Sequence, residues 1–164
     1  MAATVVVQQA TSIGPTYTTV TAFRFRNAQT TVDDTSDAIL IPGSGTSYSY
    51  EVKLRLNATV APVTAINNIK FYTDGANGLG TGVSVYAGTQ ASASYTEPVN
   101  TDSTVATTDA FTYTSGAPLS VTGSIGATTG NFGDFVVLQA DIAPTATTAS
   151  NANSETFAFR WDES

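Results

Sequence analysis

From residue 48 to residue 57 the chain alternates without a break. Tyr48, Tyr50, Val52, Leu54 and Leu56 fall on one side, and Ser49, Glu51, Lys53, Arg55 and Asn57 on the other. A period of two is the spacing of a strand, whose successive side chains point to opposite faces. This segment therefore reads as a half-buried strand with a solvated polar face. Residues 17 to 26 alternate in the same way, with Tyr17, Thr19, Thr21, Phe23 and Phe25 on one face and Thr18, Val20, Ala22, Arg24 and Arg26 on the other.

Further strands are predicted at 69 to 73, 82 to 87, 119 to 122, 135 to 142 and 156 to 161. In the last, Phe157, Phe159 and Trp161 share a face, and a buried final strand would close the fold. Leu54 and Phe159 are expected to be nearly fully buried. No segment holds a helical period over about ten residues, the nearest being a short stretch around Tyr95. Turn chemistry separates the strands: Gly14-Pro15, Pro42-Gly43, Asp74-Gly75, Asn77-Gly78 and Ala117-Pro118. Short strands joined by such turns predict an all-β fold, an antiparallel β-sandwich of jelly-roll or immunoglobulin-like type, with a barrel as the second choice.

A chain of 164 residues fits one domain. With 41% apolar residues it can bury a core without staples, and it contains no cysteine to supply one. Charged residues make up only 12%, so Thr, Ser, Asn and Gln must carry solubility. Residues 88 to 114, rich in Thr, Ser, Ala and Asp with scattered aromatics, read as a long excursion from the single domain spanning 11 to 164. Residues 1 to 10 carry the β-prone run Val5-Val6-Val7 and read either as an N-terminal arm that adds to a neighbour's sheet or as an ordinary first strand. The start of the sequence shows no basic region followed by an apolar run, so synthesis in a cytoplasm without a signal peptide is expected.

The function classes narrow by chemistry. The absence of His removes the commonest general base and zinc ligand, and the absence of Cys removes thiolate chemistry. A net charge of −7 disfavours phosphate backbones and anionic lipid, so neither nucleic acid nor membrane is an expected partner. No catalytic residue, cofactor or metal is expected. Asp33, Asp34 and Asp37 form an acidic loop that lacks the order of a calcium loop. The glycine-rich segment 73 to 82 has a strand after it where a phosphate cradle needs a helix, and reads as a hairpin connection; Asp74 within it is the other place a calcium ion could be sought. Asp162 and Glu163 are adjacent carboxylates at the end of the sequence, where glycoside hydrolysis needs two across a cleft. Asn57-Ala58-Thr59 matches a glycosylation acceptor without a secretion signal to give it meaning. Arg24, Arg26, Lys53, Arg55 and Arg160 would form a small basic stripe if their strands were neighbours.

Two stretches carry a resemblance. One runs from Ile66-Asn67-Asn68-Ile69-Lys70-Phe71-Tyr72 through Gly78-Leu79-Gly80-Thr81-Gly82-Val83. The other joins Asp134-Phe135-Val136-Val137-Leu138-Gln139, a Pro144 loop, and Thr156-Phe157-Ala158-Phe159-Arg160-Trp161-Asp162-Glu163. Together they cover about half of the chain. The pattern resembles small β-sandwich virion accessory proteins of tailed bacteriophages. That resemblance implies a virion setting and transfers no site residue. The expected function is a non-enzymatic structural role, as a capsid decoration (cement) protein acting as a homo-oligomer such as a trimer, with the major capsid protein or another virion protein as partner. A tail or fibre component is one alternative. A carbohydrate-binding or adhesion module presenting Tyr72, Tyr86, Tyr95 or Tyr113 is another. The expected assembly contacts are Val5, Val6 and Val7 in the arm and Tyr95, Phe111 and Tyr113 in the excursion.

Overall fold

Alternating apolar residues can leave water only by turning one face of a sheet against another, and the chain does so with two antiparallel sheets. The structure, a computed structural model, describes residues 2–30, 37–147 and 154–164. Among these, the larger sheet takes its order from β1 (Thr4–Thr11), β2 (Thr16–Thr19), β4 (Val52–Val60), β6 (Val83–Gln90), β7 (Thr108–Asp109) and β10 (Gly130–Ile142), arranged β2-β1-β4-β10-β6-β7. A short β3 (Ser47–Tyr48) pairs with the far end of β10. The smaller sheet runs β11-β5-β8, from β5 (Ala65–Tyr72), β8 (Leu119–Ser120) and β11 (Ala158–Glu163), with β9 (Ile125–Gly126) also on β5. The sheets do not close into a barrel. They face one another through Leu54, Leu56, Val136 and Leu138 on one side and Ile66, Ile69 and Phe71 on the other. The only helices among the described residues are two 3₁₀ turns, Ser92–Ser94 and Ala110–Thr112, the first beside Tyr95 where the nearest helical signal lay.

Several expectations hold and several need correction. Leu54 is buried in the inner core, but Phe159 is only partly buried, because β11 is an edge strand with β5 on one side alone. The strand expected over 17 to 26 stops at Thr19. Beyond it, Phe23 and Phe25 turn inward to pack with Phe157, centroids 5.5 and 6.4 Å away, whereas Tyr17 lies on the opposite face of the larger sheet against Phe135. Alternation in sequence needs a hydrogen-bonded ladder to become a strand, and this segment has one only from Thr16 to Thr19. In β5, Asn68 adopts a φ of 50° and resets the alternation, so that Ile66 and Ile69, three apart, both face inward.

The glycine-rich segment 73 to 82 is not a hairpin. It carries the chain from β5 in the smaller sheet to β6 in the larger one. Within it, Ala76 N donates to Asp74 Oδ1 and Leu79 N to Asn77 Oδ1, so these side chains close local turns. The Val5-Val6-Val7 run is an internal strand. β1 is hydrogen-bonded to β2 on one side and β4 on the other, and Val5 and Val7 pack into the chain's own core. The arm reading is corrected for a physical reason: Val5, Val6 and Val7 pair along their length with Ala58, Asn57 and Leu56 of β4, while on the other side β2 pairs from Gln8 onward and Val7 O accepts from Val20 N. No basic stripe forms either, since Arg24 and Arg26 lie outside the strands and Arg160 is in the other sheet from Lys53 and Arg55.

Candidate functional site

The second face of the larger sheet is where the structure departs most from the sequence reading. Ser49, Glu51 and Lys53, expected in water, are buried; Lys53 is 0% exposed and Glu51 5%. What covers them is the excursion that follows β6. Residues 91 to 107 fold back across the sheet as a strap, and Tyr95, Val105 and Ala106 close over Ala10, Phe135 and Val137. The strap passes so close to Gly88 that a Cβ placed there would meet Val105 O at 2.0 Å. Only a residue without a side chain admits that backbone. The sequence held a sign of this covering: Phe135-Val136-Val137-Leu138 in β10 is a continuous apolar run, the pattern of a strand buried on both faces.

The strap is fastened by polar groups. Lys53 Nζ lies 3.1 Å from Glu51 Oε2. It donates to Gln90 Oε1 at 2.9 Å and reaches Thr96 O and Oγ1, each at 3.0 Å. Gln90 Nε2 donates to Thr96 Oγ1 at 2.9 Å, and the Tyr95 ring stands 5.4 Å from Nζ. Ser103 Oγ donates to Glu51 Oε1 and accepts from the amides of Val105 and Ala106. Gln139, also buried, donates to Ser49 O and Thr101 O and accepts from Ser103 N. A buried charge is tolerated only when paired and hydrogen-bonded, and here both conditions are met. Further along, Arg55 Nε donates to Gly133 O at 2.8 Å and the guanidinium lies over Phe135, while Asn57 pairs with Asn131 across the sheet.

At one end of this face, Asp141 stands opposite Tyr48 in the β10–β3 pairing. Burial and then the charge of Asp102 push the Asp141 carboxyl up to about 6. Burial, with Asp102 and Asp141 nearby, raises Tyr48 as well. Beside them opens a hollow of about 230 Å³ bounded by Asn27, Leu40, Tyr48 and Asn100 among others. Leu40 is 77% exposed at its rim, and Ile41 and Val99 are exposed too.

The expected contact residues have other duties. Tyr95 donates its hydroxyl to Ser12 O at 2.9 Å and packs at a tilt against Phe135, and burial pushes its phenol up to about 12. Phe111 is buried in the inner core and Tyr113 packs against it. Of the other tyrosines considered for sugar binding, Tyr72 lies under the Arg160 guanidinium and Tyr86 packs against the strap-side cluster. Asp162 Oδ2 accepts from Asn68, and Glu163 Oε1 from Ala3 N, which ties the two ends of the described chain together. Asp33 and Asp34 lie outside the described residues, and Asp37 engages Asn27 N through its backbone carbonyl. Among the described residues no group of three or more acidic side chains is placed to hold a metal ion.

Comparison with known proteins gives no family model, no curated protein and no solved structure that matches this chain.

Proposed function

We propose that this chain is a non-enzymatic virion structural protein, a capsid decoration protein that stabilises a shell as a homo-oligomer. The observation that carries this reading is the covered outer face. A strap fixed by buried ion pairing and hydrogen bonds makes a three-layered, stiff body, and its polar residues are committed to holding the strap down. Stiffness is what a part that bridges joints needs. Copies bound across such joints bury surface there and raise the barrier to opening. The exposed Leu40 at the rim of the hollow, with the exposed Ile41 and Val99 next in sequence to residues that line it, offers apolar area for such binding, in place of the arm and the excursion aromatics.

The experiment is co-sedimentation of the purified chain with shells of the major capsid protein, alongside analytical ultracentrifugation of the chain alone. The expected result is a homo-oligomer that binds shells, and a Leu40→Asp variant that keeps its β circular dichroism but binds at least about tenfold more weakly. A monomer that ignores shells would overturn the decoration role; binding to tails instead would move the protein to the tail or fibre. One feature favours a glycan-binding reading: Tyr48 faces a hollow shared with Asn27 and Asn100, an aromatic with amides beside it. Specific retention on a glycan array, lost in Tyr48→Ala, would establish that reading.

A further inference from the structure

Lys53 on β4 and Gln90 on β6 belong to strands that are not neighbours; β10 runs between them. Lys53 is paired with Val137 of β10 and Gln90 with Phe135, two residues along, and their side chains nonetheless meet across β10, with Nζ 2.9 Å from the Gln90 carboxamide oxygen. Glu51 Oε2 is 3.1 Å from the same nitrogen. Lysine, glutamate and glutamine are 0, 5 and 8% exposed. An amine, a carboxamide and a carboxylate are thus held together beneath the strap, with an aromatic ring against the amine.

Held 3.1 Å from the ammonium, the Glu51 carboxylate is placed to act as a general base toward it. The neutral amine is a nucleophile, and fixing it beside its electrophile replaces a bimolecular encounter with an internal one. We infer that Lys53 and Gln90 form an intramolecular isopeptide cross-link, with Glu51 shuttling the proton. Rotation of the Gln90 amide about its last torsion leaves Cδ in place but turns the face of the carbonyl carbon to Nζ and swings its oxygen from Nζ toward the Thr96 hydroxyl, a ready donor for the developing oxyanion. The Nζ–Cδ bond forms and the Cδ–Nε2 bond breaks. Glu51, having taken one proton from the ammonium, gives a proton to the departing nitrogen and receives the last one from Nζ. Ammonia leaves, and an amide and a protonated Glu51 remain, so the buried site ends uncharged. No oxidant or cofactor enters. The reaction occurs once per chain and ties β4 to β6 across β10. It does not depend on the virion reading.

Intact mass spectrometry of the folded full chain, held at neutral pH, tests this directly. The expected mass is lower by one ammonia than the sequence requires, with full sequence mass restored in Gln90→Leu, which removes the electrophile and puts a shorter apolar side chain in its place. Trypsin locates the bond: cleavage after Lys53 should fail, and the fragments 27–55 and 71–160 should be recovered joined. A wild-type chain at full sequence mass overturns the proposal. So does ammonia loss that maps elsewhere, for instance to a succinimide at Asn77-Gly78.

Discussion

The two faces of the larger sheet are buried by different means. Toward the smaller sheet, Leu54, Leu56, Val136 and Leu138 meet Ile66, Ile69 and Phe71, and the contact is non-directional apolar burial. Toward the strap, Lys53, Glu51, Gln90, Gln139 and Ser103 are buried in a hydrogen-bonded set where each group needs a particular partner at a particular place. The inner face tolerates exchange of one apolar side chain for another of similar volume. The outer face does not, since deleting one member leaves another stranded without water. The comparison teaches that two buried faces of one sheet can be equally dry and yet differ in what specifies them.

The largest effect is expected from Glu51→Ala. Made in the Gln90→Leu background, where Lys53 keeps its ammonium, the change would take the carboxylate away from that charge in a dry site, at an expected cost of about 3–5 kcal/mol in denaturant unfolding. A cost under about 1 kcal/mol, the range of exposed pairs, would mean that water reaches Lys53 and that the strap does not seal the face. Next in size is Leu54→Ala, directly behind Lys53 on β4, which should cost about 2–5 kcal/mol through lost burial and a residual cavity. Leu54→Met should cost less than about 1.5 kcal/mol, whereas no volume-matched apolar residue should replace Glu51 alone so cheaply. If it does, the two faces obey one rule after all.

The smallest effect concerns the end of the outer face. The Asp141 carboxyl is raised from 3.8 to about 6 by burial and by Asp102. A raised acid binds its proton more tightly in the folded chain than in the unfolded one. Its contribution to stability is therefore greatest below its unfolded value and is lost as pH rises toward about 6. Asp141→Asn should remove that slope and raise the melting temperature at pH above about 6. Equal melting curves for wild type and variant at pH 7 would show that Asp141 is solvated like an ordinary surface carboxylate.

The β-sandwich was legible because its signal is local. The even-numbered residues from Tyr48 to Leu56 and the turn dipeptides announce strand and break within a few residues of one another. The face of Lys53 was not legible, because a polar residue alternating with leucines looks the same whether water or a strap lies above it. Phe135-Val136-Val137-Leu138 carried a hint, but which segment covers that strand depends on a fold-back from residues far along the chain. The Val5-Val6-Val7 run had the opposite ambiguity: the sequence called for a sheet partner without saying whose.

By itself, then, the sequence determined the secondary-structure class, the identity of the inner core strands and the absence of imidazole and thiol chemistry, because periodicity and residue inventory are properties of the chain alone. Tertiary contacts placed β1 between β2 and β4, turned Phe23 and Phe25 to a different face from Tyr17, and gathered Lys53, Glu51 and Gln90 in one dry site. Those outcomes depend on contacts between residues 37 or more positions apart in the case of Lys53 and Gln90, and no local pattern encodes which distant segment will arrive.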